Sequence, residues 1–215
     1  MTRRRPKAPT EKQAIIDRAY LVFIVWQCEA CLVAIARARS ESDAARRRGD
    51  VVETTWMNTQ QAHSDFQSAL TFAGNVSKML WPRMLRTTEV RPAKARARRL
   101  RYILGITERD KVLLNAPVVR NNFEHLDTRM DAWATRTTGT IAIHTLIAES
   151  ALRHIPVRDR FTRYDPTKDT FYMFGDRISV AKLEQSIKRV WSRAAGQYHG
   201  TQRYLERIRS REAPT

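Results

Sequence analysis

Cysteine is nearly absent. The 215 residues hold two, Cys28 and Cys31, which excludes a domain built on disulfides. Their Cys-Glu-Ala-Cys spacing has the form of a metal or redox pair. A zinc site needs two further ligands at supporting spacing, however, and there is no second cysteine pair. Both cysteines also lie in an apolar run with helical character, where cysteine behaves as a small hydrophobe. Glycine is scarce too, at seven residues, leaving no Gly-rich phosphate cradle and no nucleophile elbow. Carboxylate clusters, zinc motifs and a helix-turn-helix pattern are missing, so no cofactor and no metal is expected. Acidic charge is the last shortage: 22 Asp and Glu stand against 39 Lys and Arg, a formal net charge of +17.

That excess is concentrated. Residues 1–12, 83–101 and 186–211 carry all of it, and the rest of the chain is neutral. Concentrated positive charge attracts polyanions by counterion release. Arg91, Lys94, Arg96, Arg98, Arg99 and Arg101 in the middle run are the candidate nucleic-acid-binding residues. The alternative is a solvated basic surface. Aromatic residues are not interleaved with these runs as they are in single-strand binders.

Hydrophobic residues make up 42% of the chain, enough for a packed core. The longest apolar run, AYLVFIVWQCEACLVAIA over 19–36, has basic residues on both sides, as a membrane helix would. Gln27 and Glu29 stand at its centre, and a carboxylate at bilayer depth costs about 2.5–3.5 kcal/mol. A helix buried on most sides fits better, so membrane insertion is not expected. No small-residue cleavage site marks a signal peptide, and the expected location is cytoplasmic.

Residues 1–10, with Pro6 and Pro9, read as a loose basic arm, followed by one domain over 11–215. A first helix is expected over about 11–45, stopped at Gly49. A second runs over about 51–80 and ends at Trp81-Pro82. Its stripe of Val52, Trp56, Thr59, His63, Phe66, Leu70, Ala73, Ser77 and Leu80 marks a helix lying along another, hence an antiparallel hairpin. A short helix over 93–104 closes at Gly105. Thr107 with Asp110 resembles a capping pair, and Pro117 restarts a helix that runs to about Thr135. A small β insertion follows at about 140–176. Within it, 161–165 and 170–175 form a hairpin through Pro166-Thr167-Lys168-Asp169. Ser179 caps a last helix to about Arg209. The fold class is mainly α: a helical bundle on a long hairpin, with a small β hairpin before the C-terminal helix.

The chemistry-bearing stretch is RNNFEHLDTRMDAW, 120–133. At 100° per residue, Val119, Phe123, Leu126, Met130 and Trp133 share one face. His125 lies about 110° from the centre of that face, with Asn121 one turn before it. One reading is a solvated histidine beside an Arg120–Glu124 pair at i, i+4. The other is a phosphate-cleaving set: His125 to move protons near neutral pH, Arg120 to neutralise phosphate charge, Asn121 to orient. Arg, Asn, then His after four intervening residues resembles the signature of the HEPN superfamily. That resemblance implies an α-helical bundle, metal-independent cleavage of RNA with Arg120, Asn121 and His125 as catalytic residues, and a homodimer whose motifs face each other. It also implies a toxin or phage-defence role, with an antitoxin or other protein as partner. The competing expectations are a non-catalytic binder of RNA, DNA or ribosomes, and a helical protein-interaction module. His63, on the second helix's stripe, is expected to be buried and hydrogen-bonded. His144, His154 and His199 have no supporting spacing.

Overall fold

The computed structural model describes residues 9–47, 56–82, 90–107, 110, 112–113, 115–137, 145–146 and 148–212. Residues 1–8 of the expected arm, the stop at Gly49, and Val52 lie outside these residues.

Three long helices carry the fold: α1 (Glu11–Arg47), α2 (Trp56–Leu80) and α6 (Val180–Glu212). Between α2 and α6 come α3 (Val90–Leu104), α4 (Ala116–Glu124), α5 (Leu126–Ala134) and three strands, β1 (Thr162–Asp165), β2 (Thr170–Met173) and β3 (Asp176–Ser179). α1 is central. Its buried positions, Ala14, Asp17, Leu21, Ile24, Cys28, Cys31, Ile35 and Ala38 among them, recur at steps of three and four, the spacing of one helix face. Many are small, and α2 answers with Ala62, Ala69 and Ala73, so the two backbones pack closely. The register is fixed by polar contacts. Asn75 donates to Gln27 at 2.8 Å, and the Cys31 thiol donates to the Ala69 carbonyl at 3.3 Å. Contact positions rise along α1 as they fall along α2, so the pair is the antiparallel hairpin read from the sequence.

α6 covers the next face of α1 in the same antiparallel sense. Arg18 meets Tyr198, Glu29 meets Trp191, and Arg39 meets Glu184. Leu183, Ile187, Val190 and Ala194 seal that seam and are all buried. Burying a Leu, Ile or Phe side chain contributes roughly 1.5–3 kcal/mol, so Leu21, Ile24, Phe66, Leu70 and Ile187, each at most 2% exposed, anchor the core.

The small sheet is an antiparallel meander in the order β1-β2-β3, one strand more than the expected hairpin. β3 extends the insertion to Ser179, whose hydroxyl accepts the Lys182 N–H at 3.3 Å and caps α6 as expected. Phe171 from β2 packs on Phe66 and Tyr164 lies against the same ring, which fixes the sheet on α2. The β1–β2 turn is tied to the bundle by charge. Arg39 bonds both Asp169 and Glu184 at 2.5 Å, and Tyr164 donates to Asp169 at 2.6 Å. α3 closes at Gly105 (φ 55), a left-handed position suited to glycine.

Both cysteines are fully buried and free. Burial raises both thiols, Cys31 to about 12, so neither is a thiolate at neutral pH. No group of three or more His, Cys, Asp or Glu that could hold a metal ion occurs among the described residues.

Candidate functional site

The stretch 120–133 is two helices. His125 adopts φ −118, ψ 37, outside helical geometry, and separates α4 from α5. The break has a tertiary cause. Asn122, fully buried, donates from Nδ2 to the Met173 carbonyl at 3.1 Å and to Asp176 Oδ2 at 2.9 Å. Phe123 stacks on Phe171 at 6.2 Å. These contacts pin the end of α4 to the β2–β3 turn, and the chain must turn to continue. α5 then lies on the surface with no buried residue. Trp133 holds it, donating to Asp159 at 2.8 Å and meeting Phe161 edge-on at 4.9 Å.

No side-chain hydrogen bond joins Arg120, Asn121 and His125 among the described residues. Arg120 ion-pairs with Glu124, and its side chain is 15% exposed. The guanidinium turns onto α2, where its Cδ lies 3.4 Å from the position a Cβ on Gly74 would take. Its Nη1 is buried and makes no hydrogen bond. Asn121 is half-buried, and its carbonyl accepts the His125 N–H at 3.0 Å. His125 is exposed at the helix junction and makes no side-chain capping bond. The Arg120–Glu124 pair at i, i+4 is thus present, with its arginine largely buried and an exposed histidine one residue past Glu124. Within one protomer it does not assemble an anion-gripping pair. Asn122 was the residue missed. Its signal was its place one position from the apolar face, on the side that meets the sheet.

His63 is buried at 2% exposure, with Nδ1 2.7 Å from the Thr59 carbonyl, as expected. It lines a cavity of about 420 Å³ with Phe123, Leu126, Met130, Phe161 and Met173. Arg120, Asn121 and His125 do not line that cavity.

The six cations on α3 divide by helix face. Arg99 donates from Nε and Nη2 to Asp17, at 2.8 and 2.5 Å. Arg96 lies over the Tyr20 ring at 5.6 Å. Arg101 bonds the Leu80 carbonyl and stands 6.0 Å from the Trp81 ring. These three hold α3 on the bundle. Arg91, Lys94 and Arg98 are exposed and make no ion pair among the described residues. They recur at i, i+3 and i+7, and the next position on that face is Tyr102, 69% exposed. The four side chains span about 16 Å of helix. Beyond Tyr102 lies a cleft of about 400 Å³ between the end of α3 and α6, lined by Ser192, Arg193 and Gln197. Arg193 donates to the Leu104 and Gly105 carbonyls, which satisfies orphan acceptors at the helix end.

Comparison with known proteins finds no matching family model, no matching curated protein and no matching solved structure.

Proposed function

We propose that the chain binds single-stranded nucleic acid, RNA first, along the exposed face of α3. The observation that carries this reading is the stripe Arg91, Lys94, Arg98, Tyr102: no aromatic lies within the basic run, but three cations with no ion pair among the described residues lead to an exposed aromatic ring one residue past it. Cations track the phosphate backbone and an aromatic face stacks a base whatever its identity. The cleft past Tyr102 offers the Gln197 amide to the edge of a stacked base.

A second reading, RNA cleavage at the HEPN-like motif, is favoured by one observation: His125 is exposed and no capping bond holds its side chain. In it His125 acts on the ribose 2′-hydroxyl or the leaving oxygen, Arg120 leaves Glu124 to neutralise the phosphorane charge, and Asn121 orients one of them.

One experiment separates the two. A labelled RNA 20-mer is titrated with the protein in EDTA at several salt concentrations, and its length is checked afterwards. The binding reading expects intact RNA and a log–log salt slope near −2 for three phosphates at about 0.7 each. Arg91→Glu with Lys94→Glu and Arg98→Glu should flatten that slope, and Tyr102→Ala should weaken binding by about 5- to 150-fold, from about 1–3 kcal/mol per stacked base. A flat salt response, or full affinity in the triple variant, overturns it. Cleavage abolished by His125→Ala establishes the second reading, and cleavage unchanged by that substitution removes it.

A further inference from the structure

α1 buries one face, yet the face opposite is apolar as well. Ile15, Val22, Trp26 and Val33 are 46%, 47%, 61% and 51% exposed. At 100° per residue all four lie within about 20° of one line. Ala19, also exposed, and Phe23, 38% exposed and edge-on to Trp26 at 6.0 Å, broaden it on one side. The stripe is about 27 Å long. Isolated exposed hydrophobes are ordinary, but a continuous row headed by a tryptophan marks an interaction surface.

We propose that this face is where a second copy of the chain docks, with the two α1 helices antiparallel about a two-fold axis near residue 24. The order of residues selects this partner and this direction. Ile15 and Val33 stand equally far from residue 24, as do Val22 and Trp26. An antiparallel partner thus sets Ile15 against Val33 of the other copy, and Val22 against Trp26. A row of this kind is complementary to itself, which is what a two-fold interface requires.

The charges agree. Arg18 and Glu29 lie on the same rim of the stripe, the one facing α6. Arg18 is held there by Tyr198, 3.3 Å from its hydroxyl and 5.3 Å from its ring, and Glu29 accepts the Trp191 indole N–H at 3.1 Å. They sit at nearly equal distances either side of the same centre. In the antiparallel pair each Arg18 therefore meets Glu29 of the other copy, twice across the axis. In a parallel pair each rim would face the opposite rim of the other copy, where Ala19 and Phe23 lie, so Arg18 would meet no carboxylate and Glu29 no cation.

The test is the oligomeric state of the full chain by light scattering, with vesicle sedimentation alongside. The expected mass is twice 25.0 kDa. Trp26→Glu, at a position 61% exposed, should raise the dimer dissociation constant on the order of tenfold or more with an unchanged far-ultraviolet circular dichroism spectrum. Arg18→Glu should also weaken the dimer, and adding Glu29→Arg should restore it. Because both native cysteines are buried, introduced thiols report direction cleanly. Ile15→Cys with Val33→Cys should lock the dimer on oxidation, while either substitution alone should not. A monomer up to about 100 μM, a dimer indifferent to Trp26→Glu, no rescue by the charge swap, or a monomer that instead co-sediments with anionic phospholipid vesicles would each overturn the proposal.

Discussion

Gly74 lies buried within α2, and a Cβ there would meet Arg120 Cδ at 3.4 Å, an ordinary contact with a flexible side chain. Gly175 has open space around it but a φ of +91, in the β2–β3 turn beside Phe174 at φ 49. The same substitution therefore acts in opposite senses. Gly74→Ala removes backbone entropy from the unfolded chain inside a helix and is expected to stabilise by about 0.5–1 kcal/mol. Gly175→Ala forces an L-residue into a left-handed conformation and is expected to cost about 1–2 kcal/mol. Chemical denaturation of both variants checks the pair, and a loss of stability in Gly74→Ala would mean that Arg120 cannot yield. Neither outcome could be read from the sequence. Both residues are glycines flanked by turn or helix formers, and only the approach of Arg120 and the measured φ tell them apart. The same holds for the arginines. Arg98 and Arg99 are adjacent, yet Arg99 lies against Asp17, 82 positions earlier, and Arg98 faces solvent.

At the scale of elements, what was local was legible. The periodicity of α1, α2 and α6 needs no partner to be seen, and Pro82, Gly105 and Ser179 end or begin helices by their own backbone chemistry. The break at His125 was not legible, because no glycine or proline marks it and its cause is Asn122 reaching the strand residues Met173 and Asp176. β3 was hidden by its composition: Asp176-Arg177-Ile178-Ser179 carries a single apolar residue, so no alternation marks it. The Arg39 junction is equally non-local: it joins α1, the β1–β2 turn and α6. Burial alone would raise the Glu184 carboxyl, but the hydrogen bonds from Lys188 and Arg39 prevail and hold it below its ordinary 4.5. A carboxylate lowered on folding contributes stability above its unfolded value, and loses it as pH falls through the lower folded value. Thermal melts between pH 6 and 3 should thus show an acid limb that is shallower in Glu184→Gln than in the parent. Parallel limbs would show that the junction does not depend on the Glu184 charge.

Over the whole molecule, two effects of the +17 charge run in opposite directions with salt. Within the folded chain, Arg91, Lys94 and Arg98 on α3, which have no ion pair among the described residues, and the basic residues at the end of α6, Arg203 and Arg207 among them, are exposed. They repel one another across the surface, a penalty that compaction increases. The pairs that hold elements together are less open to solvent: Asp17 is 8% and Asp110 1% exposed, each bonded to an arginine. Salt screens exposed charges over about 10 Å at 0.1 M and reaches buried pairs much less. Added sodium chloride should therefore relieve the repulsion more than it weakens the pairs. The melting temperature is expected to rise by a few degrees between about 0.05 and 0.3 M, where a gain of 1 kcal/mol is worth about 2–4 °C in a chain of this size. Over the same range affinity for RNA should fall. A melting temperature that falls together with the affinity would place the decisive charge interactions inside the fold rather than on its face.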